Sequence, residues 1–347
     1  TMAKKWHGKI KMSREVMDAL MYPILKYPRL KDRNGQPTSD PDYDRYPTMK
    51  LKIPFWEGNF NVELYSMDRK PLYLSGKTDP KGLLCESEYS TANILVDISE
   101  EVYNNDESVK AYSRYSWTSN ETSRILSGNG IPNHEVGTFP NPHNPNTIKE
   151  QNVNATFTLC PSLVSDTGVQ VGGPAGAIAY AINSVKFDPG TAGRCDDSGT
   201  CSLAMGQGRW RIEALGHNTF DFGDDMNHAH VQPTGEYHYH GMPELLLDLL
   251  GQEKNMTLVG LASDGFPVYA RYGYTDANDS TSDMKITKPS WKLKAMGDVG
   301  RPDTLRSLRG GPGAGDSNPN TAIPLGAFTQ DFEYEEGYGD LDQCNGR

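Results

Sequence analysis

The chain reads as a mainly β protein: a loop-rich β-sandwich or barrel-like fold with a few short helices and an internally duplicated C-terminal unit. Three observations predict it. Gly (35) and Pro (23) are abundant among 347 residues, which favours short strands joined by turns over long helices. Several stretches alternate apolar and polar residues with the period of a strand, as in Phe60-Asn61-Val62-Glu63-Leu64-Tyr65. Two pairs of turn-centred segments recur in the same order along the C-terminal half.

Taken in order, Met12 to Met21 is the clearest helix near the start, with Ser13 as N-cap and Pro23 as its stop. Residues 28–47 are polar and Pro-rich. There Asp40-Pro41-Asp42-Tyr43-Asp44 reads as a turn-forming loop, with calcium as a second use of such Asp-rich loops. Residues 49–66 read as two strands and Ile94 to Ile98 as another. Residues 1–126 are expected to form an accessory region, a basic arm plus strands.

From Ser127 the texture changes. Gly128 to His134 and Gly137 to Asn146 are so dense in Gly, Pro and Asn that helix and regular sheet are excluded, leaving a long loop that carries His134 and His143. Beyond it, Gly176 to Phe187 and Leu258 to Tyr269 are apolar runs broken by turns at Asn183 and Asp264-Gly265. Glu244 to Leu250 is a short helix ended by Gly251.

The repeat pairs Ala181-Ile182-Asn183-Ser184-Val185 with Ala262-Ser263-Asp264-Gly265-Phe266, and Asp225 to His230 with Asp342 to Arg347. Residues 127–347 are therefore expected to hold two related halves, about 170–250 and 255–347, the second cut short.

The formal charge of −11 argues against nucleic acid as the partner, because phosphate binding needs clustered Lys and Arg. Residues 1–70 hold 14 Lys and Arg against 9 Asp and Glu, a balance of +5, so the rest carries −16. Compensation between segments explains this asymmetry; the sharper alternative is a homo-oligomer built by docking the basic arm on an acidic neighbour. No apolar run of transmembrane length occurs, and no apolar signal core is present at the N-terminus. Of five cysteines, Cys195 and Cys201 flank a polar, Gly-containing loop and are the disulfide candidates. Sequons at Asn120, Asn154, Asn255 and Asn278 permit an extracytoplasmic location.

The chemistry concentrates in one place. His228, His230, His238 and His240 lie within thirteen residues, four of the eight histidines in the chain. In Tyr237-His238-Tyr239-His240 a strand would put both imidazoles on one face and both phenols on the other. With His230 they form a first shell for zinc or copper. His228, Asp225, Glu236, His134 and His143 are further ligand or second-layer candidates, and Asp224 is a carboxylate able to fix an imidazole tautomer. The alternative is a Tyr/His ladder satisfied by hydrogen bonds.

Residues 127–347 resemble the bacterial and viral YHYH domain family, named for that motif. The match runs through Gly130-Ile-Pro-Asn-His134, Asn227-His-Ala-His230, Tyr237-His-Tyr-His240, Gly260 to Tyr269 and Leu341 to Gly346. The resemblance implies secretion, and a family segment that usually runs on past Cys344-Asn345-Gly346. Function is accordingly expected to be that of an extracytoplasmic metal-binding protein, with a metal-dependent enzyme of unknown substrate as its active form. The alternative is a structural or interaction protein of a surface assembly, where the cluster is packing or a stabilising ion site.

Overall fold

The computed structural model describes Thr91 and residues 96–120, 122–161, 177–215, 219–310 and 320–347, with four short strands before them. The Met12–Met21 helix, the basic arm and the Asp40–Asp44 loop lie outside the described residues. The chain divides into two compact units, Thr1–Lys81 and Gly82–Arg347. In the first, β1 (Met49–Lys52) pairs with β4 (Glu63–Ser66), and β2 (Phe55–Trp56) with β3 (Asn59–Phe60), all antiparallel.

The second unit opens with an antiparallel meander: β5 (Ile98–Asn104), β6 (Ala111–Ser119), β7 (Ser123–Gly128) and β8 (Val153–Thr158). Residue 126, where the sequence changes texture, lies within β7. The long loop follows that strand and carries no strand or helix of its own, as its composition requires. Then come β9 (Ala179–Ala181), β10 (Lys186–Phe187), β11 (Arg194–Cys195), β12 (Thr200–Ser202), β13 (Trp210–Arg211), β14 (Ala229–Val231) and β15 (Tyr237–Tyr239). The helix Glu244–Leu250 ends at Gly251 in the left-handed conformation. After it run β16 (Thr257–Ala262), β17 (Pro267–Ala270), β18 (Tyr272–Tyr274), β19 (Met284–Ile286), β20 (Trp291–Leu293), β21 (Ser307–Arg309) and β22 (Phe332–Tyr334).

The sheet that matters for the site has six strands in the order β14-β15-β10-β9-β16-β17. One face packs Tyr180, Leu258, Leu261 and Tyr269 against Trp117, Leu126 and Phe157 of the meander, so the two sheets form a sandwich. A bulge in β16 sets Val259 and Gly260 opposite Val268, which keeps Leu258 and Leu261 on one face although three residues apart. The opposite face is covered by the helix and by the long loop, through Leu246, Leu247, Val136 and Phe139. A second four-stranded sheet, β13-β11-β12-β21, is clipped by the Cys195–Cys201 disulfide, which joins directly opposed residues of a hairpin. Cys160 is also disulfide-bonded, and Cys344 is a free thiol.

The protein is thus mainly β, and among the described residues no sheet closes into a barrel. Both repeated segment pairs close the same turn. Its first N–H bonds the carbonyl four residues on, as Ala181 to Val185, Ala262 to Phe266, Asp225 to Ala229 and Asp342 to Gly346. The fourth residue takes positive φ in each: Ser184, Gly265, His228 and Asn345. Asp196–Thr200 and Gln232–Glu236 close that turn as well, so it is not confined to the repeated pairs.

Candidate metal centre

Strand pairing builds the site. His230 of β14 stands opposite His238 of β15, and Lys186 of β10 lies on the other side of His238 in parallel register. Side chains alternate across the sheet, so Tyr237 and Tyr239 point the other way with Ala229 and Val231, into the core under the long loop. His240 follows two residues after His238 and shares its face. His238 and His240 are buried and His230 is half-buried.

The three imidazoles meet through their Nε2 atoms. His240 Nε2 lies 3.0 Å from His238 Nε2 and 3.2 Å from His230 Nε2. Each Nδ1 faces an oxygen: His238 the Glu236 carbonyl at 3.3 Å, His240 the Pro189 carbonyl at 3.1 Å, His230 the Asp224 carboxylate at 2.7 Å. A carbonyl only accepts, so His238 and His240 carry their protons on Nδ1 and turn bare Nε2 lone pairs toward each other. Three nitrogens bound at roughly 2.0–2.1 Å to one tetrahedral ion would stand about 3.3 Å apart, close to the two distances that His240 makes, and all three ligand atoms lie within 4.8 Å of one another. The His230–Asp224 contact is close but off-axis, and it leaves both atoms without an aligned hydrogen bond.

Electrostatics favour a cation. Burial, then the neighbouring His240, His230 and Lys186, holds the His238 imidazole well below its ordinary range. Burial, then His230, lowers His240 to about 4. His238 and His240 therefore favour the neutral form. Around it Lys186 Nζ is 2.7 Å from Glu236 and 3.3 Å from Asp188, and Asp224 sits behind His230. Three carboxyl groups against one ammonium make these surroundings formally acidic, which favours a cation, although burial raises the Asp188 pKa and weakens its share.

The other sequence candidates go elsewhere. His134 Nδ1 faces its neighbour's carbonyl, and its Nε2 accepts the Tyr239 hydroxyl at 2.6 Å, on the opposite face of the sheet. His143 faces Asp221 at 3.4 Å near the surface. His228 Nδ1 is 2.8 Å from the Met242 carbonyl, outside the converging group. Asp225 accepts from Tyr237 Oη and from the Gly137 N–H, tying the long loop to the sheet. The Glu236 carboxylate pairs with Lys186, and its carbonyl, not its side chain, holds His238. Sequence reasoning missed Lys186, Asp188 and the Pro189 carbonyl. Only a lone Lys within the apolar Val185-Lys186-Phe187 run hinted at them.

A family model described as YHYH protein matches residues 154–347. Among curated proteins and among solved structures, nothing matches the chain.

Proposed function

The chain belongs to the YHYH protein family, and on that premise we propose that it is an extracytoplasmic protein whose His230, His238 and His240 hold one divalent transition-metal ion, zinc or copper. The observation that carries this reading is the convergence of three Nε2 atoms whose opposite nitrogens are each backed by an oxygen. The bare Nε2 lone pairs of His238 and His240, 3.0 Å apart, repel unless a cation sits between them. A three-histidine centre leaves a coordination position for water or substrate, the arrangement of metal-assisted hydrolysis and oxidation.

Disulfides belong to oxidising compartments, and all four sequon asparagines are exposed, which supports the extracytoplasmic part. No helix among the described residues is long and apolar enough to cross a membrane. In this reading residues 1–126 are an accessory segment, ahead of a two-part YHYH-type domain over residues 127–347.

Elemental analysis of untagged protein tests the reading. Near-stoichiometric zinc or copper is expected in the wild type, and its loss in His238→Ala. A metal-free wild type that cannot be loaded with either ion, with His238→Ala altering stability alone, overturns it.

A further inference from the structure

Next to the triad, on the same face of the sheet, Asp188 carries one oxygen that the metal-binding reading leaves unexplained. It lies two residues after Lys186, and its N–H bonds the Tyr239 carbonyl, which extends the β10–β15 pairing and sets Asp188 beside His240. Its side chain is 5% exposed. One oxygen, Oδ2, is met by Lys186 Nζ and by Gln232 Nε2, both at 3.3 Å. The other, Oδ1, is buried and has no hydrogen-bond partner. A buried carboxylate oxygen without a donor costs several kcal/mol in general, so such an atom marks the place of a missing donor. Asp188 is also absent from the group whose ligand atoms converge, so it stands outside direct coordination.

We propose, building on the three-histidine reading, that Asp188 Oδ1 accepts a hydrogen bond from the fourth ligand of the bound ion. That ligand must then be a protic oxygen species, such as water, an alcohol or a hydroperoxide, and not an aprotic anion. A carboxylate is acceptor-only and negative; it rewards a ligand that brings an O–H and repels one that brings only charge. Asp188 is on this account the specificity residue of an open, exchangeable position.

The test uses the full chain loaded with Co(II), whose visible spectrum reports the coordination sphere, and azide as the aprotic probe. Wild type is expected to bind azide weakly, with a spectral change only at high azide. Asp188→Asn removes the charge and offers an N–H, so azide should bind at least about tenfold more tightly per bound cobalt. Asp188→Glu, which keeps the charge, should stay within a few-fold of wild type and stands in for the comparison if the Asn variant does not fold: tight azide binding by it refutes the proposal. Equal azide affinity in wild type and Asp188→Asn, or spectra indifferent to azide in both, also overturns it. Failure of the wild type to take up cobalt, zinc or copper would instead remove the metal site itself.

Discussion

Asp224 decides how His230 presents itself. His238 and His240 are backed by main-chain carbonyls that no substitution removes, whereas His230 depends on a side chain 2.7 Å away. Partners of this kind orient a ligating imidazole and raise its basicity. Asp224→Asn keeps the shape and removes the charge, so metal affinity should fall about 10- to 100-fold. Competition against a chromophoric chelator measures it, and an unchanged affinity would show that Asp224 does not position His230. At this scale the sequence was informative where residues are neighbours in the chain: the pairing of His238 with His240 follows from period two. It could not announce Lys186 or Pro189, which reach the histidines from about fifty residues away.

Strands differ in how openly they declare themselves. β15 is legible because its alternation is chemically sharp, phenol against imidazole. The meander strands were less so, although they alternate as well. In β6 the inward residues are Ser113, Tyr115 and Trp117, and in β7 they are Arg124 and Leu126. A buried serine and a buried arginine blur the contrast on which periodicity rests. Ser113 is satisfied by the Ile131 carbonyl, and Arg124 by Thr91, partners that only the fold supplies.

In β16 the critical position is Gly260. A Cβ there would stand 2.3 Å from the Tyr180 carbonyl oxygen and 3.0 Å from the Ala181 Cα, so β9 and β16 can pair this closely only over a glycine. Gly260→Ala should prise these strands apart and destabilise the protein by about 3 kcal/mol, at the upper end of overpacking costs. A denaturant midpoint equal to that of wild type would refute the argument.

For the whole molecule, acidity is the informative variable. Buried His134 fastens the long loop to the core through Tyr239, and burial lowers its pKa below the ordinary value, only partly offset by its bond to the Glu135 carbonyl. A histidine lowered on folding is protonated first in the unfolded chain. Its contribution is therefore complete above the unfolded value near pH 6.5 and is lost as pH falls toward the folded value. Stability should decline below pH 6.5, with this residue supplying up to about 1.4 kcal/mol per pH unit. His134→Gln should flatten that slope by up to one proton. Denaturation curves at pH 7.5 and 5.5 compare the two, and identical slopes would exclude His134 as a source.

By itself the sequence determined that this is a mainly β protein, that Cys195 joins Cys201, that Gly251 ends a helix, and that two histidines share one face of a strand. Each is a local consequence of turn chemistry or side-chain period. Only the tertiary structure decided that His230 pairs with His238 across the sheet, that β10 lies parallel to β15, and that Pro189 and Asp188 arrive beside His240. Parallel pairing joins segments through a long connection and leaves no local pattern to read. The ring of oxygens behind three histidines is a product of that pairing.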